Sequence, residues 1–295
     1  MTVTVAKNAG FCFGVARAAK AVEELATCQS GEAVYTFGEL IHNRVYNASL
    51  TALGVTVVET LEEAKNIAES GKRAVLVIRT HGVPRDVQEG LLRLSRAFPN
   101  FRVVDMTCPF VSKIHKIAEE HTTDNSIFCL LATDGHPESV GIVSHAKGKV
   151  ITFRTKEELV ELLKPYKDGN FCMLLASQTT QSGEEFKKTK LFFKKHFTNS
   201  KIFDTICNVT DIRQEEAEEL SRRSDRMIVV GGKNSSNTQK LFDICKKNCA
   251  KTYWIETRDE IKALPIDGTE QNIGITAGAS TPAGLIKEIE HQWKK

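Results

Sequence analysis

The sequence predicts an α/β protein of three similar units, and three observations carry that prediction. Short apolar runs reach a cysteine three times: VTVAKNAGFC ends at Cys12, FPNFRVVDMTC at Cys108 and FTNSKIFDTIC at Cys207. The cysteines are spaced by 96 and 99 residues. Helical periodicity follows each of them, and the remaining segments of each third also match in order. Alternating strands and helices of this length give α/β units with mainly parallel strands.

Each element has its own signal. The runs before the cysteines read as strands, bounded by polar or glycine turns. After Cys12, residues Val15, Ala18, Ala19, Val22, Leu25 and Ala26 recur at helical spacing, as do Val111, Ile114 and Ile117 after Cys108. The third helix, from about Gln214 to Arg223, is more polar and is expected to be exposed on one side. Second strands are AVYTF, SIFCLLAT and RMIVV, followed by the loops GELIHN, DGHPES and GGKNSSN. Third strands run into a Thr-x-x-Glu capping box: Thr60 with Glu63, Thr155 with Glu158, Thr257 with Glu260. Fourth strands AVLVIR, FCMLLA and NIGIT end in THGVP, SQTTQ and AGASTP. From each cysteine to His42, His136 and Ser235 the spacing is 30, 28 and 28 residues. The units divide at residues 1–98, 99–198 and 199–295, with the N-terminal strand, 1–13, also placed to pack with the third unit. In open α/β sheets the ligand edge is the carboxyl end of the strands, where all of these loops fall. The economical arrangement is a pseudo-threefold ring with those edges facing one axis.

Composition narrows the function. The 295 residues carry 40 basic and 37 acidic side chains, a net charge of +3, so no nucleic acid is gripped by bulk charge. The apolar share of 41% and charged share of 26% are globular values. The start, MTVTVAKNAG, lacks a signal peptide's basic and apolar regions, and no apolar run approaches the ~20 residues of a membrane span. The expectation is a soluble, cytoplasmic protein with no membrane partner. In a reducing cytosol its eight cysteines are fillers, metal ligands or reactive thiols, not disulfides. There is no CxxC pair, so any metal site is long-range.

A lone cysteine at a strand end is ordinarily a buried filler. Three at matched strand ends are candidates for a shared three-thiolate site. Thiolates select zinc, copper(I) or iron–sulfur clusters, and a helix N-terminus favours the thiolate. A [4Fe–4S] cluster held by three cysteines leaves one iron open, and a zinc with three cysteines and water is the competing chemistry. Cys129 and Cys172 lie inside strands and are expected in the core, Cys28 ends a helix, and Cys245 and Cys249 share a helical face. The loops GKNSSNT and AGASTPAG offer hydroxyls, an amide and backbone N–H groups for an anion, although Ser and Asn also serve as plain helix caps. His42, His81 and His136 occupy equivalent loops and suit a phosphate. His115, His121, His145, His196 and His291 fall outside the registers and read as structural or surface. Glu138 is the only carboxylate among the second-strand loops and a candidate proton donor, with helix capping as its plain alternative. Thr179 is placed to hold a substrate hydroxyl or pass a proton.

The motifs NAGFCFGVARA, IHNRVY, THGVP, DMTCPFVSKIH, GHPE, SQTT, CNVTDIRQEEA, VGGKNSSNT and GITAGASTP, in this order, resemble the 4-hydroxy-3-methylbut-2-enyl diphosphate reductase (LytB) family. The resemblance spans Asn8 to about Pro282. It implies a trefoil of three α/β units around a central iron–sulfur cluster. It also implies reductive dehydroxylation of an allylic diphosphate to isopentenyl and dimethylallyl diphosphate, the last step of the non-mevalonate isoprenoid pathway. By resemblance Cys12, Cys108 and Cys207 hold a [4Fe–4S] cluster with one iron free of cysteine. His42, His81, His136, Thr180, Ser235, Ser236, Asn237 and Ser280 contact the substrate. Glu138 supplies protons, with Thr179 beside the substrate hydroxyl and His136 in the same catalytic group. The implied electron donor is a ferredoxin or flavodoxin, since the chain carries no flavin or nicotinamide fingerprint. One departure stands after Cys207: the family commonly has Tyr-Ala-Thr, and here the residues are Asn208, Val209 and Thr210. The alternatives left open are a non-redox iron–sulfur dehydratase and a non-catalytic phosphate-binding or metal-sensing module.

Overall fold

The structure, a computed structural model, describes residues 1–166, 169–265, 268 and 270–293. Strand β1 (Thr2–Val5) leads past Cys12 into helix α1 (Phe13–Thr27). Then come β2 (Ala33–Phe37), α2 (Arg44–Ala52), β3 (Thr56–Val58), α3 (Leu61–Glu69), β4 (Ala74–Ile78) and α4 (Arg85–Ala97). The pattern repeats as β5 (Phe101–Asp105), α5 (Pro109–His121), β6 (Ser126–Leu131), α6 (Pro137–His145), β7 (Lys149–Phe153), α7 (Lys156–Leu162), β8 (Cys172–Ser177) and α8 (Gly183–His196). It closes with β9 (Ser200–Ile202), α9 (Asn208–Arg222), β10 (Arg226–Val230), α10 (Ser236–Asn248), β11 (Thr252–Ile255), β12 (Asn272–Ala277) and α11 (Ala283–Trp293).

The strands form three four-stranded sheets, ordered β3-β2-β4-β5, β7-β6-β8-β9 and β11-β10-β12-β1. The order is the same in all three, and the last strand of each is the run that leads into the next cysteine. Thus β5 pairs in parallel with β4, β9 with β8, and β1 with β12. The boundaries drawn at 98 and 198 therefore fall just before the strand that completes each preceding sheet.

By backbone packing the chain divides into two compact parts, Met1–Val57 with Asn208–Lys295, and Val58–Cys207. In the second part β6 sends Ile127, Cys129 and Leu131 into one apolar cluster, and Phe128 and Leu130 into another. In the first part β10 likewise splits Ile228 and Val230 from Met227 and Val229. Burial on both faces explains why these strands read as unbroken apolar runs rather than alternating ones.

Local signals are obeyed unequally. Thr60 and Glu63 form a complete capping box on α3. On α7 the Thr155 side chain accepts from the N–H of Glu158, whose carboxylate takes the N–H of Arg154. The third expected box is replaced. Thr257 donates its hydroxyl to Glu260, and a short 3-10 segment, Asp259–Ala263, stands where the pattern predicts an α-helix. Helix α9 begins at Asn208, well before Gln214, because the polar turn after Cys207 is itself helical. Cys172, at the edge where β8 begins, is only half-buried, whereas Cys129 is fully buried.

Candidate active site

The three cysteines occupy the same backbone situation. Each is half-buried at a strand-to-helix junction, directly before α1, α5 or α9. Each donates its own N–H to a carbonyl in a fourth-strand loop: Cys108 to Thr80 at 2.9 Å, Cys207 to Thr179 at 3.0 Å and Cys12 to Ala279 at 3.2 Å. Those loops are matching turns, closed by Gly82 N–H to Arg79 O, Gln181 N–H to Gln178 O and Thr281 N–H to Gly278 O. In this register His81, Thr180 and Ser280 are the third residue of their turns.

In the part Val58–Cys207 the turns carry His81, Thr179 and Thr180. His136 is the N-cap of α6, and its Nδ1 accepts the N–H of Glu138 at 3.1 Å. The His81 and His136 rings meet edge-on with centroids 5.6 Å apart. Glu138, 2% exposed, turns its carboxylate to the Thr179 turn: Thr179 N–H reaches Oε1 at 2.7 Å and Thr179 Oγ1 reaches Oε2 at 2.9 Å. Burial pushes this carboxyl up to about 7, against the lowering by the two Thr179 bonds. The group is therefore divided between its acid and anionic forms near neutral pH. The plain capping role foreseen for Glu138 falls to its backbone N–H, not its carboxylate.

Gln178 organises the same loop. Its Oε1 accepts from Thr133 N–H at 2.9 Å and Ser139 Oγ at 3.2 Å, and its Nε2 donates to Thr180 Oγ1 at 3.1 Å. Sequence reasoning missed this hub. Its only signal was an amide between a strand and two threonines.

In the other part, Ser280 Oγ donates to His42 O at 3.2 Å, and Asn43 Nδ2 donates to Ser280 O at 2.9 Å. Asn43, not His42, caps α2, accepting from Tyr46 N–H at 3.0 Å. By cap position Asn43 therefore matches His136 and Ser235, one residue later than the expected register. Ser235 caps α10 through Thr238 N–H. A Cβ on Gly232 would stand 2.3 Å from His42 O, so the loop bearing Ser235 needs glycine there to lie against the His42 loop. A cleft of about 240 Å³ opens beside them, lined by His42, Asn43, Arg44, Gly232, Lys233 and Asn234 among others. Asn237 is buried, and neither of its amide atoms has a hydrogen-bond partner among the described residues. A bound anion would accept from the orphan Nδ2 donor on this N-terminal helical turn. Arg213, also missed, is buried and donates to Gly10 O at 2.7 Å and Ala277 O at 3.2 Å, steadying the backbone before Cys12 and Ser280.

Among the described residues no three His, Cys, Asp or Glu side chains gather closely enough to ligate one metal ion. A polynuclear cluster sets each thiolate on its own iron, so its cysteines do not need to meet that condition.

Fold and site together define an α/β enzyme class: three parallel sheets of one strand order, three cysteine junctions, and a buried carboxyl group, Glu138. The model of the LytB protein family matches residues 3–294. A relative from a Nitratiruptor species, named 4-hydroxy-3-methylbut-2-enyl diphosphate reductase, is 39% identical over all of this chain and 99% of its own. One of the same name from Caldanaerobacter subterraneus subsp. tengcongensis is 38% identical over 98% of this chain and 95% of its own. A solved (E)-4-hydroxy-3-methyl-but-2-enyl diphosphate reductase, described as the terminal enzyme of the non-mevalonate pathway, superposes with a TM-score of 0.68. It is 32% identical and covers 100% of this chain and 99% of its own. The Plasmodium falciparum reductase structure shares the fold, with a TM-score of 0.83 over 99% of this chain and 88% of its own, at 22% identity. The chain belongs to the LytB protein family.

Proposed function

We propose that this chain is an iron–sulfur reductase. It converts (E)-4-hydroxy-3-methylbut-2-enyl diphosphate to isopentenyl and dimethylallyl diphosphate, with one water released per two electrons and two protons consumed. The observation that carries the reading is the buried Glu138 carboxyl held by both donors of Thr179.

Three half-buried thiols at matched junctions fit a shared cluster, because each backbone N–H is already anchored and each sulfur precedes a helix N-terminus. Cys12, Cys108 and Cys207 would hold a [4Fe–4S] group with one iron free of cysteine. When bound, that group supplies a Lewis-acidic position for the alcohol and passes electrons singly. The repeats 1–98, 99–198 and 199–295 each contribute one such junction.

The chain's own residues do the rest. His42, His81, His136, Ser235, Ser236, Asn237 and Ser280 hold the diphosphate, and Thr180, next to Thr179, is a further contact to the substrate. The orphaned Asn237 amide supports that assignment. Anchoring the charged end positions the far hydroxyl and converts binding energy into orientation. Thr179, fixed by Glu138, contacts that hydroxyl, and Glu138 delivers the proton that lets water leave. His136, bonded to the Glu138 N–H, keeps the start of α6 in register with the Thr179 turn. The protein works in the cytoplasm, with a ferredoxin or flavodoxin as donor.

The test is anaerobic turnover of the allylic diphosphate by reconstituted protein with a strong one-electron reductant. Formation of both five-carbon diphosphates only when reductant is present is the expected result. Turnover without reductant would make the chain a dehydratase. A colourless protein without iron and sulfide would remove the reading altogether.

A further inference from the structure

Helix α8, sequence GEEFKKTKLFFKKH, presents two faces. Phe186, Thr189 and Phe193 are buried. The opposite face exposes Leu191, 63% accessible, among lysines. Lys187, Lys190, Leu191 and Lys194 line a groove of about 360 Å³ together with Ile202 at the end of β9 and Asp204 beyond it. Lys190 is paired to Asp204 at 2.8 Å. Among the described residues Lys187 and Lys194 have no ion-pair partner. An apolar centre rimmed by unpaired charge of one sign is the composition of a docking patch, not of a plain solvated helix.

Its place in the chain gives the patch a meaning. Asp204 lies three residues before Cys207, so the groove's wall is at most about 11 Å along the chain from that cysteine. Resting on the reductase reading, the reaction needs two electrons from outside. The chain has no nicotinamide or flavin fingerprint of its own, so a donor must dock close to a ligating sulfur. We propose that the α8–β9 groove is the docking surface for an acidic one-electron carrier protein, which delivers its electrons on the Cys207 side. The carrier docks twice per turnover and is oxidised by one electron each time. The substrate gains both electrons and two protons and loses water. Leu191 supplies the apolar contact, and Lys187 and Lys194 supply the charge that steers an acidic surface.

The test uses reconstituted full-length enzyme and the triple variant Lys187→Glu, Leu191→Glu, Lys194→Glu. All three positions face solvent or the groove and lie outside the substrate machinery. Turnover is measured with a reduced acidic [2Fe–2S] ferredoxin and, separately, with reduced methyl viologen. The expected result is a tenfold or greater fall in kcat/KM for ferredoxin, with viologen-driven turnover unchanged. The salt dependence of the ferredoxin rate is expected to flatten in the variant. Unchanged ferredoxin kinetics, or equal losses with both reductants, would overturn the proposal. Calorimetric binding of oxidised ferredoxin, weakened by the same substitutions, tests the surface even if turnover fails. Failure of wild-type enzyme with viologen strikes the reductase reading instead.

Discussion

Thr179 meets both oxygens of the Glu138 carboxylate, with its N–H on Oε1 at 2.7 Å and its hydroxyl on Oε2 at 2.9 Å. Two donors on one carboxylate favour the anion, yet burial overrides them and carries the group up to about 7. The balance makes the acid available at neutral pH while fixing its direction. The hydroxyl of Thr179 is committed to Glu138 as a donor, so it has acceptor capacity left for a substrate hydroxyl.

Glu138→Gln should therefore keep the fold and lose the chemistry. The amide has nearly the same volume and retains an oxygen for Thr179 N–H, but it delivers no proton. General acid catalysis is worth about 10²–10⁴ in rate. Turnover is expected to fall by that order with KM and iron content near wild type. Steady-state kinetics with iron and sulfide analysis checks this, and near-normal turnover would remove Glu138 from the proton role.

The same carboxyl sets a pH signature in stability. Its folded value, about 7, lies above its ordinary 4.5. Its contribution is therefore full below about pH 4.5 and is lost as pH rises through about 7. The loss is on the order of 3 kcal/mol. Urea melts of wild type and Glu138→Gln at pH 5 and pH 8 should show the wild-type advantage shrinking at the higher pH. A constant difference would mean that the carboxyl is ionised in the folded protein at both.

Most of this geometry was legible in outline. The cysteine spacing and repeated loops pointed to three similar α/β units, because strand ends and turns leave a composition that survives divergence. Pairing was less visible. That β5 completes the sheet of β4 depends on long-range hydrogen bonds, and FRVVD reads the same whichever sheet receives it. The register drawn through His42 lies one residue before the helix cap, because only the Tyr46 N–H marks Asn43 as the cap of α2. The Gln178 hub was hidden for a related reason. An amide reveals its role through partners such as Ser139, which is 39 residues away in sequence.

His115 falls outside the repeated loops in sequence, and the structure gives its structural role a location. Its ring stacks on His145 at 4.3 Å, and it lies under Gly82, where an added Cβ would stand 2.8 Å from His115 Cε1. Gly82 also has φ of 71°, a conformation that costs a non-glycine residue roughly 1–2 kcal/mol. Overpacking adds about 1–3 kcal/mol. Gly82→Ala is expected to lower stability by roughly 2–5 kcal/mol and to raise KM, because the strained turn carries His81. A Gly82→Ala, His115→Asn double variant should recover the packing share but not the backbone share. Denaturant melts of the two singles and the double measure that coupling, and strict additivity would separate Gly82 from His115.

The His115 ring also titrates against the fold. Burial first, and then the neighbouring His145, pushes it down to about 4. A depressed base contributes stability that is present above its ordinary 6.5 and is lost as pH falls through about 4. Wild type should therefore weaken on acidification, and His115→Asn should flatten that limb. Melting temperatures from pH 7 to pH 4 read the effect, and parallel wild-type and variant curves would show that another group controls it.

Asn237 separates binding from folding most cleanly. Its amide is buried without partners among the described residues, so removing it relieves a desolvated group in the free protein and, on the proposed reading, deletes a contact to the diphosphate. The two effects have opposite signs. Asn237→Ala should melt at or above the wild-type temperature, whereas a purely structural amide would lower it. KM should rise about tenfold, equivalent to about 1.4 kcal/mol, with kcat little changed, the pattern of lost uniform binding. Inorganic diphosphate should inhibit the variant correspondingly less well. Stability that falls together with an unchanged KM would place Asn237 in the core packing of α10 and not on the ligand.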